Sequence, residues 1–166
     1  DKGEYFTSIK TMEYITLGYN WRMSNITAAL GISQLKKLDK FITMRREKAA
    51  YLSKYLSNVS GIEPPDPPNG YFHVYQMYTI KVKDGKDARD NLKNYLAEKG
   101  VMTKVYFSPV HLKEFYRNRC GFQGGELPTT EELSKKVLTL PMYASLTTDE
   151  MNFIVDHVKR FMKNID

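Results

Sequence analysis

The 166-residue chain predicts an α+β fold, a few-stranded and mostly antiparallel sheet with helices on one side, preceded by a long connecting helix. Three observations predict it. A helical pattern runs from Asn25 to about Asn58, with Leu35, Ile42, Ala49 and Leu56 recurring every seven residues. Two later stretches, Phe72–Lys83 and Val101–Phe107, alternate in the manner of strands. The final stretch carries an apolar stripe (Met151, Ile154, Val155, Val158, Phe161, Met162 and Ile165) behind a Thr147/Glu150 capping box.

Taken in order, Asp1–Leu17 has no sustained period and reads as a loop or short irregular segment. A polar, aromatic-rich turn, Gly18–Ser24, then runs into the long helix, for which Ser24 is the N-cap. Leu38, Leu52 and Val59 fill the second apolar position of its seam, and Arg45 is the polar intruder. Such a helix spans roughly 50 Å at 1.5 Å per residue. That exceeds the small domain it leads into, so part of it is expected to pack elsewhere, with a bend near Gly31 or Asp39. Ser60–Gly70 (SGIEPPDPPNG) ends it as a stiff extended linker.

In the first alternating stretch, Phe72, Val74, Tyr78, Ile80 and Val82 share a face. Asp84-Gly85-Lys86 is a turn, and a helix from Asp87 carries Ala88, Leu92, Tyr95 and Leu96 before Gly100 closes it. Pro109 ends the second strand. A short helix over 111–118, a glycine-rich loop over 120–127, and a helix opened by Pro128 with a Thr129/Glu132 capping box follow. A short apolar stretch, Val137–Leu140, precedes the last helix.

Composition narrows the classes of function. Hydrophobic residues make up 42% and charged residues 27%, as in ordinary globular domains. The net charge of +6 suits phosphorylated small molecules. Nucleic-acid binding is not expected, because Lys and Glu are mixed and the long helix sets Asp39 and Glu47 among its basic residues. With Cys120 alone, no internal disulfide forms, which fits a reducing, cytoplasmic setting. No run approaches the ~20 apolar residues of a membrane span, and the start, DKGEYF, is not a signal peptide. The absence of an initiating Met points to processing or to a piece of a longer chain.

Metal binding is not expected, since His73, His111 and His157 are far apart and no Cys-x-x-Cys occurs. No phosphate-binding glycine motif is present, and Gly121–Gly125 reads as a flexible loop. Two clusters carry candidate chemistry. In the Gly18–Ser24 turn, Asn20 offers amide donors, Arg22 a guanidinium fork, and Ser24 a capped helix start, which together suit an anion. The plainer reading is a capped helix with exposed polar residues. In Tyr106–His111, a strand ends, a proline fixes the turn and a histidine follows, a common place for functional side chains. The plainer reading there is a locally packed His.

At these clusters the sequence resembles a known family. GYNWRMSNITAALGISQLKKLD is similar to the signature of the DegT/DnrJ/StrS sugar aminotransferases, fold-type-I enzymes that depend on pyridoxal phosphate (PLP). YFSPVHLKEFY, GELPTTEELSKKVLTLPMYASLTTDEMNFIV and the strand beginning His73-Val74-Tyr75 also fit. The resemblance runs from Leu17 onward and implies the C-terminal part of such an enzyme. Residues 1–23 would then be the tail of the large domain, 24–60 the connecting helix, and 61–166 the small C-terminal domain. The lysine that joins PLP is implied to lie in the other half, so this chain alone is expected to be inactive. Asn20 is implied to reach the PLP phosphate of the neighbouring subunit in a homodimer, with Arg22 nearby. Tyr106 and His111 are implied to line the sugar-nucleotide side. Val105 stands where the family often has His, and Trp21 where it often has Tyr.

The implied reaction moves an amino group, typically from glutamate, to a keto-sugar nucleotide, with PLP as the electron sink. The competing reading is a stand-alone dimerisation or regulatory module derived from the family.

Overall fold

The computed structural model describes residues 16–19 and 21–164. They form two compact units that divide between Lys36 and Lys37. The first holds the Gly18–Ser24 turn and helix α1 (Asn25–Leu35), which has no buried residue. Ser24 caps α1 as expected, its Oγ accepting the N–H of Thr27 at 3.2 Å.

The second unit opens with α2 (Leu38–Leu56). The single helix expected over 25–58 is therefore two, interrupted at Lys36–Lys37 and not at Gly31 or Asp39. Both lysines are good helix formers, and nothing local explains the interruption. The seven-residue seam faces inward along α2. Ala49, Leu52 and Leu56 are fully buried, and Ile42 and Arg45 half-buried.

Three strands follow the order β1-β2-β3: β1 (Ile62–Glu63), β2 (Tyr78–Val82) and β3 (Val137–Leu140), all antiparallel neighbours. β1 lies inside the segment read as linker. Gly61 makes this possible, with φ 75 and a position where a Cβ would lie 2.5 Å from Met162 Cε. Tyr78, Ile80 and Val82 are fully buried, while Thr79 and Lys81 are half-exposed, which is the alternation the sequence showed. Register places Tyr78 opposite Leu140 and Ile80 opposite Leu138.

The strand expected from Phe72 is shorter because arginines occupy the backbone of 72–77. Arg46 Nη1 donates to His73 O at 2.7 Å, and Arg45 Nη1 to Tyr75 O and Gln76 O. Tyr75 has φ 50, outside the strand region. The strand expected over 101–107 is likewise reduced to one bridge, Lys104 to Thr139, with N···O distances of 3.1 and 2.8 Å.

Helix α3 (Gly85–Glu98) begins two residues before Asp87 and ends at Gly100, φ 79, where Val101 N donates to Leu96 O. The helix expected over 111–118 is a 3-10 turn (Val110–Leu112) followed by α4 (Glu114–Cys120). Helix α5 (Pro128–Lys136) starts with Pro128 in its first turn but without the Thr129/Glu132 box. The Leu127 N–H goes to Glu131 instead, at 3.4 Å. Buried Arg89 of α3 donates to Ser134 O and Val137 O, fixing the passage from α5 to β3.

The last helix, α6 (Thr148–Lys163), has the capping box as read. Thr147 Oγ1 accepts Glu150 N–H, and Glu150 accepts Thr147 N–H. Its stripe (Met151, Ile154, Val155, Val158, Met162) is buried against α2 and α3, while Ile165 lies outside the described residues. Among the described residues no helix is long and apolar enough to cross a membrane.

Candidate functional site

The first cluster belongs to the first unit. Asn20 lies outside the described residues. Its neighbours Tyr19 and Trp21 stack with ring centroids 5.5 Å apart, both exposed. Arg22 is exposed, two residues before Ser24. The first turn of α1 contains no acidic residue. Its positive dipole end therefore meets no carboxylate of its own turn, although the Ser24 hydroxyl takes the Thr27 N–H. None of the described lysines is buried.

The second cluster belongs to the second unit and divides between two places. Tyr106 stands in the wall of a cleft of about 760 Å³, within the usual range for small-molecule sites. Met102, Lys104 and Tyr106 alternate along an extended segment and reach the cleft together. Gln76 and Met77 supply a second wall, and Met142 and Tyr143, just beyond β3, a third. Phe153 and Asp149 of α6 close one end. Lys104 has no ion pair among the described residues. Glu150, also at the rim, is committed. Hydrogen bonds from the Thr147 N–H, the Thr147 hydroxyl and the Tyr143 hydroxyl hold its carboxyl below the usual range. The walls are thus methionine and aromatic surface with a few polar groups, and the thioethers let the surface adapt to a ligand.

His111 lies elsewhere, 6% exposed under the glycine-rich loop. Its Nε2 donates to Glu131 Oε1 at 3.0 Å. The same oxygen accepts Gly125 N–H at 2.7 Å, and Phe122 packs edge-on to the imidazole. Glu126 receives Gln123 N–H at 2.7 Å and Gly124 N–H at 2.8 Å. These bonds depress both carboxyls, Glu131 chiefly through His111 and Glu126 chiefly through the Gln123 N–H. His111, Glu126 and Glu131 are the trio among the described residues whose ligand atoms come close enough for a metal, all within 4.8 Å. Backbone amides donate to both carboxylates, so the trio forms a hydrogen-bonded node.

Sequence reasoning missed Glu131, the hub of this node. Its only signal was a carboxylate beside the supposed cap Glu132. It also missed Gln76 and Lys104 in the cleft, whose residue types carry no motif. Arg45 was visible only as a charge on an apolar seam. The structure gives it three carbonyl partners: Tyr75 at 3.2 Å, Gln76 at 3.1 Å and Met142 at 3.1 Å.

Comparison with known proteins shows the family. Residues 2–159 match the DegT/DnrJ/EryC1/StrS aminotransferase family. The chain is 31% identical over 151 residues to a pleiotropic regulatory protein of Geobacillus stearothermophilus, covering 89% of this chain and 39% of that one. It is 30% identical over 160 residues to the GDP-perosamine synthase of Escherichia coli O157:H7, covering 96% and 42%. The crystal structure of S. venezuelae DesV superposes with a TM-score of 0.83 at 26% identity, over 98% of this chain and 43% of that one. The chain therefore spans about two fifths of the length of these relatives.

Proposed function

Because the chain belongs to the DegT/DnrJ/EryC1/StrS aminotransferase family, we propose that it is the C-terminal part of an enzyme transferring an amino group from glutamate to a keto-sugar nucleotide. The family depends on PLP, which supplies the electron sink for amino transfer. In this reading Asn20, Arg22 and the start of α1 hold the phosphate of a cofactor bound in the neighbouring subunit of a homodimer. An amide at Asn20 adds a hydrogen bond without adding charge, and Arg22 supplies a fork matched to phosphate oxygens. The lysine that joins the cofactor belongs to the part of the enzyme outside this chain, so the isolated chain is inactive. The enzyme works in the cytoplasm, in polysaccharide or amino-sugar biosynthesis.

The observation that carries the reading is the cleft with Tyr106 in its wall. It takes the sugar-nucleotide acceptor, with Tyr106 contacting it. His111 serves the same side from beneath, by fixing the loop that follows Tyr106. The name of the perosamine synthase relative supports a nucleotide-linked sugar as acceptor.

The test uses the native protein that contains this chain, loaded with PLP and given glutamate alone. One equivalent of 2-oxoglutarate per site is expected, whatever the acceptor. Asn20→Ala should weaken cofactor retention. In the isolated chain, borohydride reduction with PLP should label no single lysine. A native protein that releases no 2-oxoglutarate would overturn the enzyme reading in favour of a binding module, and one specifically labelled lysine in the isolated chain would overturn the assignment of that lysine.

A further inference from the structure

The polar residue on the seam of α2 is left without a role in this chemistry, yet its partners join two walls of the cleft. Tyr75 and Gln76, which accept from Arg45, belong to the loop that brings Gln76 and Met77 to the cleft. Met142, the third acceptor, belongs to the chain leaving β3, which brings Met142 and Tyr143 there. One half-buried guanidinium on a rigid helix thus holds both segments. None of the three carbonyls has a ladder partner, because β2 begins at Tyr78 and β3 ends at Leu140. Tyr75 also sits at φ 50, a conformation that a non-glycine residue keeps only when its surroundings hold it. Arg46, next in sequence, provides the contrast. It holds the same loop at His73 and stacks on Phe72 at 4.2 Å, and neither of those residues lines the cleft.

We propose that Arg45 is a positioning residue, which sets the separation of the Gln76–Met77 and Met142–Tyr143 walls and so the fit of the acceptor beside Tyr106. The proposal rests on the reading of that cleft as the acceptor side. All three bonds come from Nη1, whose two hydrogens are shared among the carbonyls, on a planar group that conjugation holds rigid, whereas a lysine amine is free to rotate.

The experiment compares Arg45→Met, Arg45→Lys and Arg46→Met by 13C-methyl methionine spectra. Arg45→Met is expected to shift and broaden the Met77 and Met142 signals while Met151 and Met162, buried on α6, keep theirs. Arg45→Lys should restore part of the change, and Arg46→Met should leave Met77 and Met142 in place. If Arg45→Met does not fold, Arg45→Lys decides by the same comparison, with Met77 and Met142 displaced and Met151 and Met162 not. Unmoved Met77 and Met142 signals, or equal changes at all four methionines, would overturn the proposal. In the native enzyme, with GDP-4-keto-6-deoxymannose, the keto form of GDP-perosamine, or dTDP-4-dehydro-2,3,6-trideoxy-D-glucose, whichever it aminates, as probe, Arg45→Met should raise KM ~10-fold with kcat within ~2-fold. A loss confined to kcat would also overturn it. A wild-type protein that aminates neither probe counts against the acceptor assignment, and the methyl spectra then decide Arg45 by themselves.

Discussion

His111 Nε2 and Glu131 Oε1 lie 3.0 Å apart, and that one carboxylate oxygen also takes the Gly125 N–H at 2.7 Å. The pair joins three segments that are loosely structured by themselves: the 3-10 turn after Tyr106, the glycine-rich loop, and the entry to α5. A flexible-loop reading of Gly121–Gly125 is thereby replaced by a loop whose Gln123, Gly124 and Gly125 amides are bound by carboxylates.

His111→Ala should accordingly loosen the loop and lower stability by ~1–3 kcal/mol, because it strands a carboxylate partner beside a cavity. A shift of the urea midpoint at unchanged slope would measure this. Amide exchange at Gly125 and Leu127 should rise with it. A variant as stable as the wild type, with both amides still protected, would contradict the role given to the pair.

Acid should unfold the protein earlier than an ordinary carboxylate set would. Glu126, Glu131 and Glu150 all titrate below the usual range, held there chiefly by the Gln123 N–H, His111 and the Thr147 N–H respectively. Groups depressed in the folded state add stability above their unfolded value of about 4.3. That stability is lost as pH falls through the lower folded values, where the unfolded chain binds more protons. Urea midpoints between about pH 6 and pH 2.5 should fall along this course. Glu131→Gln should flatten the slope.

The alkaline limb should report Tyr78. Burial pushes its phenol up to about 12, against an opposing hydrogen bond with Ser53. The unfolded phenol ionises near 10, so between those values the folded state retains a proton that the unfolded state has lost. Stability should therefore fall as pH rises through that interval. Tyr78→Phe should remove this part of the slope, and the 295 nm titration should lose its latest-ionising tyrosine.

Thr147→Ala removes the N-cap of α6, whose Oγ1 accepts the Glu150 N–H at 3.2 Å. A cost of ~1 kcal/mol is expected, read as a lowered urea midpoint. Thr147→Ser should recover most of it. No loss in the alanine variant would mean that packing of the apolar stripe holds the helix end without its cap.

The extent to which the sequence was legible follows from the range of the forces involved. Ser24, the Thr147/Glu150 box and Gly100 act within three or four residues, and each stands where its neighbours required. The stripes of α2 and α6 and the alternation of β2 were readable because burial imposes a period on the chain. The GYNWRM turn was readable as a motif, and its capped helix start follows from Ser24 alone.

Much of what failed depended on a partner far along the chain. Alternation from Phe72 promised a strand, but Arg45 and Arg46, roughly 30 residues earlier, hold the carbonyls of that stretch instead. Thr129 and Glu132 satisfied a capping pattern, yet Glu131 took the Leu127 amide and the Thr129/Glu132 box did not form. His111, implied to line the sugar-nucleotide side, packs against Glu131, the partner that the sequence did not point to. The sequence by itself determined the stripes of α2 and α6, the Ser24 and Thr147/Glu150 caps and the class of the fold, because local hydrogen bonds and periodic burial are written into neighbouring residues. Only the tertiary structure decided that Arg45 joins two cleft walls and that one oxygen of Glu131 gathers three segments. Such contacts depend on where distant backbone groups come to rest, and that is fixed only when the core closes.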